Sequence, residues 1–104
     1  IPCHKGTPVL PRDEVKTLLA ELGPGWGLTT AGHLERKFEF KDFVQALAFA
    51  NAVGSIAEEQ GHHPEMTVGW GHCRLEIWTH AIGGLARADF VLAAKASRAS
   101  TGRS

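Results

Sequence analysis

Read for its spacing of apolar and polar positions, the chain divides into helical and extended stretches punctuated by glycine and proline. Residues 1–9, with Pro2, Gly6 and Pro8, read as an irregular lead-in. Pro11 suits the first turn of a helix, where its missing amide donor is not needed. Val15, Leu18, Leu19 and Leu22 then recur at helical spacing, with Asp13 and Glu14 near the positive end of the helix dipole. Gly23-Pro24-Gly25 stops that helix. Residues 26–30 and 34–40 predict two strands joined through Ala31-Gly32-His33, and Phe38 and Phe40 alternate with Lys37 and Glu39 to form one apolar face. Asp42 is a good N-cap for a long second helix. Its apolar stripe is Phe43, Leu47, Ala50, Val53 and Ala57, widened by Phe49 and Ile56.

Gly61 stands where a helix C-cap is expected, and Pro64 pushes His63 out of helical geometry. The His62-His63 pair therefore falls on a bend between helix and strand. Met66, Val68 and Trp70 alternate as a third strand, Gly71-His72 turns the chain, and Leu75, Ile77 and Thr79 alternate as a fourth. Past His80 and Gly83-Gly84 a third helix spans 87–99, followed by a frayed tail at 100–104. The order αββαββα predicts an α+β fold: a four-stranded antiparallel sheet with three helices packed on one face.

Length and composition narrow the possibilities. The 104 residues fit a single domain spanning 1–104. Eleven basic residues balance eleven acidic ones, so charge gives no drive toward nucleic acid or an anionic membrane. No apolar run reaches the ~18 residues of a transmembrane helix. Cys3 and Cys73 form no CxxC pair and no disulfide framework, which points to a reducing, cytoplasmic setting. Ile1 in place of a starting Met leaves room for a removed targeting peptide.

The six histidines are the unusual feature, because imidazole changes charge near neutral pH. If the third and fourth strands pair as a tight hairpin, His80 at the end of the fourth comes beside His62 and His63. Three such groups around one cleft can protonate a departing hydroxyl and take a proton from the adjacent atom. Two plainer readings compete. Adjacent histidines at an exposed bend are commonly polar loop residues. Histidines also bind metal, and Glu58 or Asp89 could complete a ligand set, but no HExxH or cysteine pair is present and no metal is expected. His4, His33 and His72 fall in predicted loops and read as solvated. Trp26 and Trp70 read as packing residues, whereas Trp78, opposite Leu75 and Ile77 in the alternation, reads as exposed, a place where tryptophan often marks an interface.

Glu58, three residues, His62-His63-Pro64, five residues, Trp70, nine residues, His80, eight residues and Asp89 together resemble the signature of the pterin-4a-carbinolamine dehydratases. The helix before Gly25-Trp26, the Asp42-Phe43 helix start and Gly83-Gly84-Leu85 resemble the family as well. The resemblance implies dehydration of 4a-hydroxytetrahydrobiopterin to quinonoid dihydrobiopterin, recycling the pterin used by aromatic amino acid hydroxylases. It implies His62 and His80 as an acid–base pair, His63 as a histidine that orients the ring, and Glu58 and Asp89 as carboxylates holding imidazole tautomers. Pro64 and Thr79 are carried over as substrate-binding or supporting residues. The family implies no metal or organic cofactor, and a homodimer or homotetramer. A protein-binding role, as a dimerisation cofactor of a transcription factor, is the alternative known in some animal members. Two departures stand out: Ala86 replaces the usual Ser or Thr, so the third helix is expected to lack its N-cap, and Trp70 stands where the family often has Tyr.

Overall fold

A computed structural model of the chain describes residues 8–101. Residues 1–7 of the lead-in, with Cys3 and His4, and residues 102–104 of the tail lie outside the described residues. The elements are α1 (Arg12–Leu22), β1 (Gly27–Leu28), β2 (Leu34–Glu39), α2 (Phe43–Gln60), β3 (Glu65–Gly69), β4 (His72–Ile77) and α3 (Arg87–Ser100), with one 3-10 turn at His80–Ile82. All strand pairs are antiparallel, in the order β1-β2-β4-β3. The α+β class and the αββαββα order expected from the sequence are therefore present.

Strand alternation decides where the helices sit. Leu34 and Phe38 on β2, and Cys73, Leu75 and Ile77 on β4, are buried and face the helices. Glu35, Lys37 and Glu39 pair across from Glu76, Arg74 and His72 on the opposite face. β4 lies between β2 and β3, so its inward side chains are covered on both flanks. Burial pushes the Cys73 thiol up to about 11. From α2, Ala46, Phe49, Ala50, Val53 and Ala57 close over this surface, and Phe49 meets Phe38 and Phe40 with ring centroids 4.6 and 5.1 Å apart. Trp26 is buried against Phe38, and its indole N–H donates to Ser97 Oγ at 2.8 Å.

Several expectations change. The first strand shrinks to Gly27–Leu28, because the Thr29 hydroxyl accepts from the amides of Ala31 and His33 and turns the chain early. The α2 stripe is rotated: Phe43 and Leu47 are 44% and 42% exposed, and Ala46 and Phe49 take their place in the core. That half of α2 is apolar on more than one side, so periodicity alone could not choose the face. Trp70, read as a packing residue, is 73% exposed in the β3–β4 turn. His72 is the first residue of β4, not a loop residue; its ring lies over Gly69, where a Cβ would come within 2.7 Å of His72 Nε2. β4 ends at Ile77, and Thr79 instead forms an isolated bridge with Gly84. The third helix runs through Ser100, one residue into the expected tail. Among the described residues no helix is long and apolar enough to cross a membrane.

Candidate active site

The bend after α2 is set by its C-cap. Gly61 adopts the left-handed conformation, φ 64° and ψ 30°, which costs a residue with a Cβ but suits glycine. Its N–H donates to Glu58 O at 3.3 Å, and the His62 N–H donates to Ala57 O at 3.1 Å. These two bonds turn His62 inward, where it is only 8% exposed. Backbone leading into Pro64 is extended, so the next side chain, His63, points the opposite way.

The third histidine arrives with the hairpin. The register pairs Glu65 with Glu76 and Met66 with Leu75, so the end of β4 lies beside the start of β3. Just beyond it, Thr79 N donates to Gly84 O at 2.9 Å and the chain enters the 3-10 turn at His80. His62, His63, Pro64, Trp78, Thr79 and His80 line one cleft of about 310 Å³.

Beneath this cleft lies Asp89, in the first turn of α3 and without solvent exposure. One carboxylate oxygen accepts from His62 Nε2 at 2.5 Å. The other accepts from the Thr79 hydroxyl at 2.7 Å and the Ala86 amide at 2.8 Å. Ala86 offers no side-chain acceptor, so the third helix lacks a side-chain N-cap as expected, and Asp89 reaches back to the Ala86 amide as half of a capping box. With Nε2 committed to Asp89 as a donor, the remaining His62 ring nitrogen is Nδ1. Among the described residues no buried side-chain polar atom lacks a partner.

Glu58 lies outside the cleft lining, in the last turn of α2, and its Oε2 is 2.6 Å from His63 Nε2. Both side chains are open to solvent, at 79% and 60%. They border a larger groove of about 840 Å³ along α2, lined by Ala50, Asn51, Gly54 and Met66, which shares His63 and Pro64 with the histidine cleft. The larger cavity holds one histidine and the smaller one holds three. Among the described residues no group of three or more His, Cys, Asp or Glu side chains is arranged to hold a metal ion.

Two residues read from the sequence as solvated or exposed are neither. His33 stacks on Trp78 with ring centroids 4.0 Å apart and planes 4° apart, and its Nδ1 lies 2.7 Å from Glu76 Oε2. Trp78 in turn lies 4.2 Å from the His80 ring. The hydrogen bond from His33, reinforced by Arg74, holds the Glu76 carboxyl below its ordinary range. Antiparallel pairing of Leu34 with Ile77 puts His33 opposite Trp78, so the signal lay in a strand adjacency that a β2-to-β4 crossover conceals.

Comparison with known proteins places the chain in a family. The family model described as pterin 4 alpha carbinolamine dehydratase matches residues 8–99. A protein of Rickettsia bellii (strain OSU 85-389), provisionally named pterin-4-alpha-carbinolamine dehydratase, is 48% identical over 95 residues, 91% of this chain and 84% of its own length. A relative from Cupriavidus pinatubonensis with the same provisional name is 53% identical over 102 residues, 97% of this chain and 87% of its own. A Brucella melitensis crystal structure described as a transcriptional coactivator/pterin dehydratase superposes with a TM-score of 0.83 at 28% identity, covering 88% of this chain and 98% of that one. A pterin dehydratase-like protein identified as a RuBisCO assembly factor in the alpha-carboxysome shares the fold alone, with a TM-score of 0.64 at 22% identity, over 80% of this chain and 96% of that one. With the family model spanning residues 8–99 and relatives of about half identity covering nine-tenths of it, the chain belongs to the pterin-4a-carbinolamine dehydratase family.

Proposed function

We propose that this chain dehydrates 4a-hydroxytetrahydrobiopterin to quinonoid dihydrobiopterin by histidine general acid–base catalysis. The observation that carries the reading is the meeting of His62, His63 and His80 around one small cleft, with His62 tied to a carboxylate that has no solvent exposure. In this scheme His62 and His80 flank the 4a-hydroxyl. One imidazole protonates the departing oxygen, which leaves as water. The adjacent ring nitrogen forms the new double bond to C4a and gives its proton to the other imidazole. Asp89 holds the His62 tautomer that leaves Nδ1 available, and the Thr79 hydroxyl steadies Asp89 from its second oxygen. His63, oriented by Glu58, binds and aligns the pterin, and Pro64 fixes the bend that separates the two histidines. General acid–base help of this kind is worth ~10²–10⁴-fold in rate, enough for a substrate already prone to lose water.

The family supports a place in the cytoplasm and in tetrahydrobiopterin recycling, with the product returning to an aromatic amino acid hydroxylase. Self-association as a homodimer or homotetramer is part of the proposal. The exposed Phe43, Val44 and Leu47 on α2 offer an apolar face that a second copy would cover. A role as a protein-binding module, suggested by the Brucella description, would draw on that same face and not on the cleft.

The deciding experiment is stopped-flow dehydration of synthesised 4a-hydroxytetrahydropterin by wild type and His63→Ala. Wild type should accelerate the reaction and His63→Ala should lose most of the acceleration. No acceleration by wild type, or wild-type turnover in both His62→Ala and His63→Ala, overturns the reading. Exhaustive chelation should leave turnover unchanged; a loss restored by zinc would replace acid–base catalysis with metal chemistry.

A further inference from the structure

The three cleft histidines are held in different ways. His62 leans on Asp89 and His63 on Glu58, both through hydrogen bonds to carboxylates. Among the described residues no carboxylate or hydroxyl holds the His80 ring; what it meets is the Trp78 indole, at 4.2 Å and 39°. Trp78 is itself fixed from the far strand. His33 lies flat on it, and Glu76 anchors His33 through Nδ1. Arg74 donates to Glu76 at 3.2 Å and also pairs with Glu35, so the anchor is tied across β2 and β4.

We infer that His33 is a positioning residue for the reaction: stacked on Trp78 and anchored by Glu76, it holds the aromatic surface against which the His80 imidazole is set. The inference deepens the dehydratase reading and rests on it. His80 sits at the start of a single 3-10 turn and is exposed, so its backbone alone leaves the ring free to rotate. A ring contact restrains that rotation without using either nitrogen. Both nitrogens stay available for proton transfer, which a hydrogen-bonded carboxylate would not allow. Stacked ring pairs of this kind have definite preferred geometry, and a small misplacement of an acid–base group slows turnover without weakening substrate binding.

The test compares His33→Ala, His33→Phe and His33→Gln by stopped-flow kcat and KM, and by the NMR resonances of the His80 ring, assigned with His80→Ala. Removing the stacked ring should lower kcat about tenfold while KM stays within about twofold, and should move the His80 resonances as the Trp78 ring current changes. Phe at 33, which keeps a ring on Trp78, should restore both readouts. Gln at 33, which keeps a polar group for Glu76 but no ring, should restore neither. Wild-type kcat in His33→Ala, or rescue by Gln but not Phe, overturns the inference. Absence of turnover in the wild type sinks the dehydratase reading by itself; the His80 resonances then decide the stack, and their constancy in His33→Ala overturns it.

Discussion

The imidazole of His62 is 8% exposed against a carboxylate with no solvent contact, whereas that of His63, one residue on, is 60% exposed beside a still more open Glu58. Both pairs are histidine to carboxylate, and their separations differ by little, at 2.5 and 2.6 Å. Burial is what separates them. An exposed pair is screened by water and adds about 0–1 kcal/mol to stability. A buried one cannot lose a partner without leaving polar groups stranded. Asp89 collects donors from the end of α2, from Thr79 beyond β4 and from the N-terminus of α3, so one carboxylate joins the site to the fold. Glu58 and His63 belong to a single helix end, and their bond ties no other element to the site. The same residue types, adjacent in sequence, thus form one rigid and one adjustable wall of the cleft.

The sharpest way to break this contrast is Asp89→Ala. It strands the His62 N–H, the Thr79 hydroxyl and the Ala86 amide, and should lower stability by about 3–5 kcal/mol in urea unfolding while removing turnover. His63→Ala should separate the two effects, slowing dehydration by about 10²-fold or more with a stability change under about 1 kcal/mol. If its unfolding midpoint fell as far as that of Asp89→Ala, the two walls would not differ. Glu58→Gln should have a smaller effect, a loss in kcat/KM of about fivefold at most, matching the worth of an exposed ion pair.

The smallest effect concerns pH. The Glu76 carboxyl is held below its ordinary 4.5, first by the His33 hydrogen bond and then by Arg74. Its contacts therefore add stability above the unfolded-state value, and that stability is lost as pH falls through the depressed one. Between pH of about 5 and about 3, the urea midpoint of wild type should fall more steeply than that of Glu76→Gln. Parallel curves would show that Glu76 carries no linked stability.

Much of this was legible from residues alone. Asp42 caps α2 through the Gln45 amide at 2.9 Å, Gly61 ends it, and the alternation of Leu75 and Ile77 marks β4 as a half-covered strand. Pro64 and the hairpin placed all three histidines. Side chains whose surroundings depend on strand order were not legible. His33 and Trp78 meet only because β2 lies against β4, and neither local propensity nor periodicity carries that pairing. Phe43 and Leu47 lie off the core because that half of α2 is apolar on more than one side, and spacing alone does not choose the side that packs on the sheet. The missing N-cap at Ala86 was legible, whereas the bond from the Ala86 amide to Asp89 depends on a side chain three residues on turning back toward the helix start.

Cys73 turns the sheet into its own chemical clock. It pairs with Phe38 on one side and Val68 on the other, in the middle of three strands, with its thiol shielded and its ionisation pushed to about 11. Alkylation near neutral pH needs both access and a thiolate, and the native arrangement withholds both. In a Cys3→Ser chain, labelling would proceed only through separation of β4 from its neighbours. The rate of modification by a thiol reagent would then time the opening of the strands that carry the site, with no chromophore added.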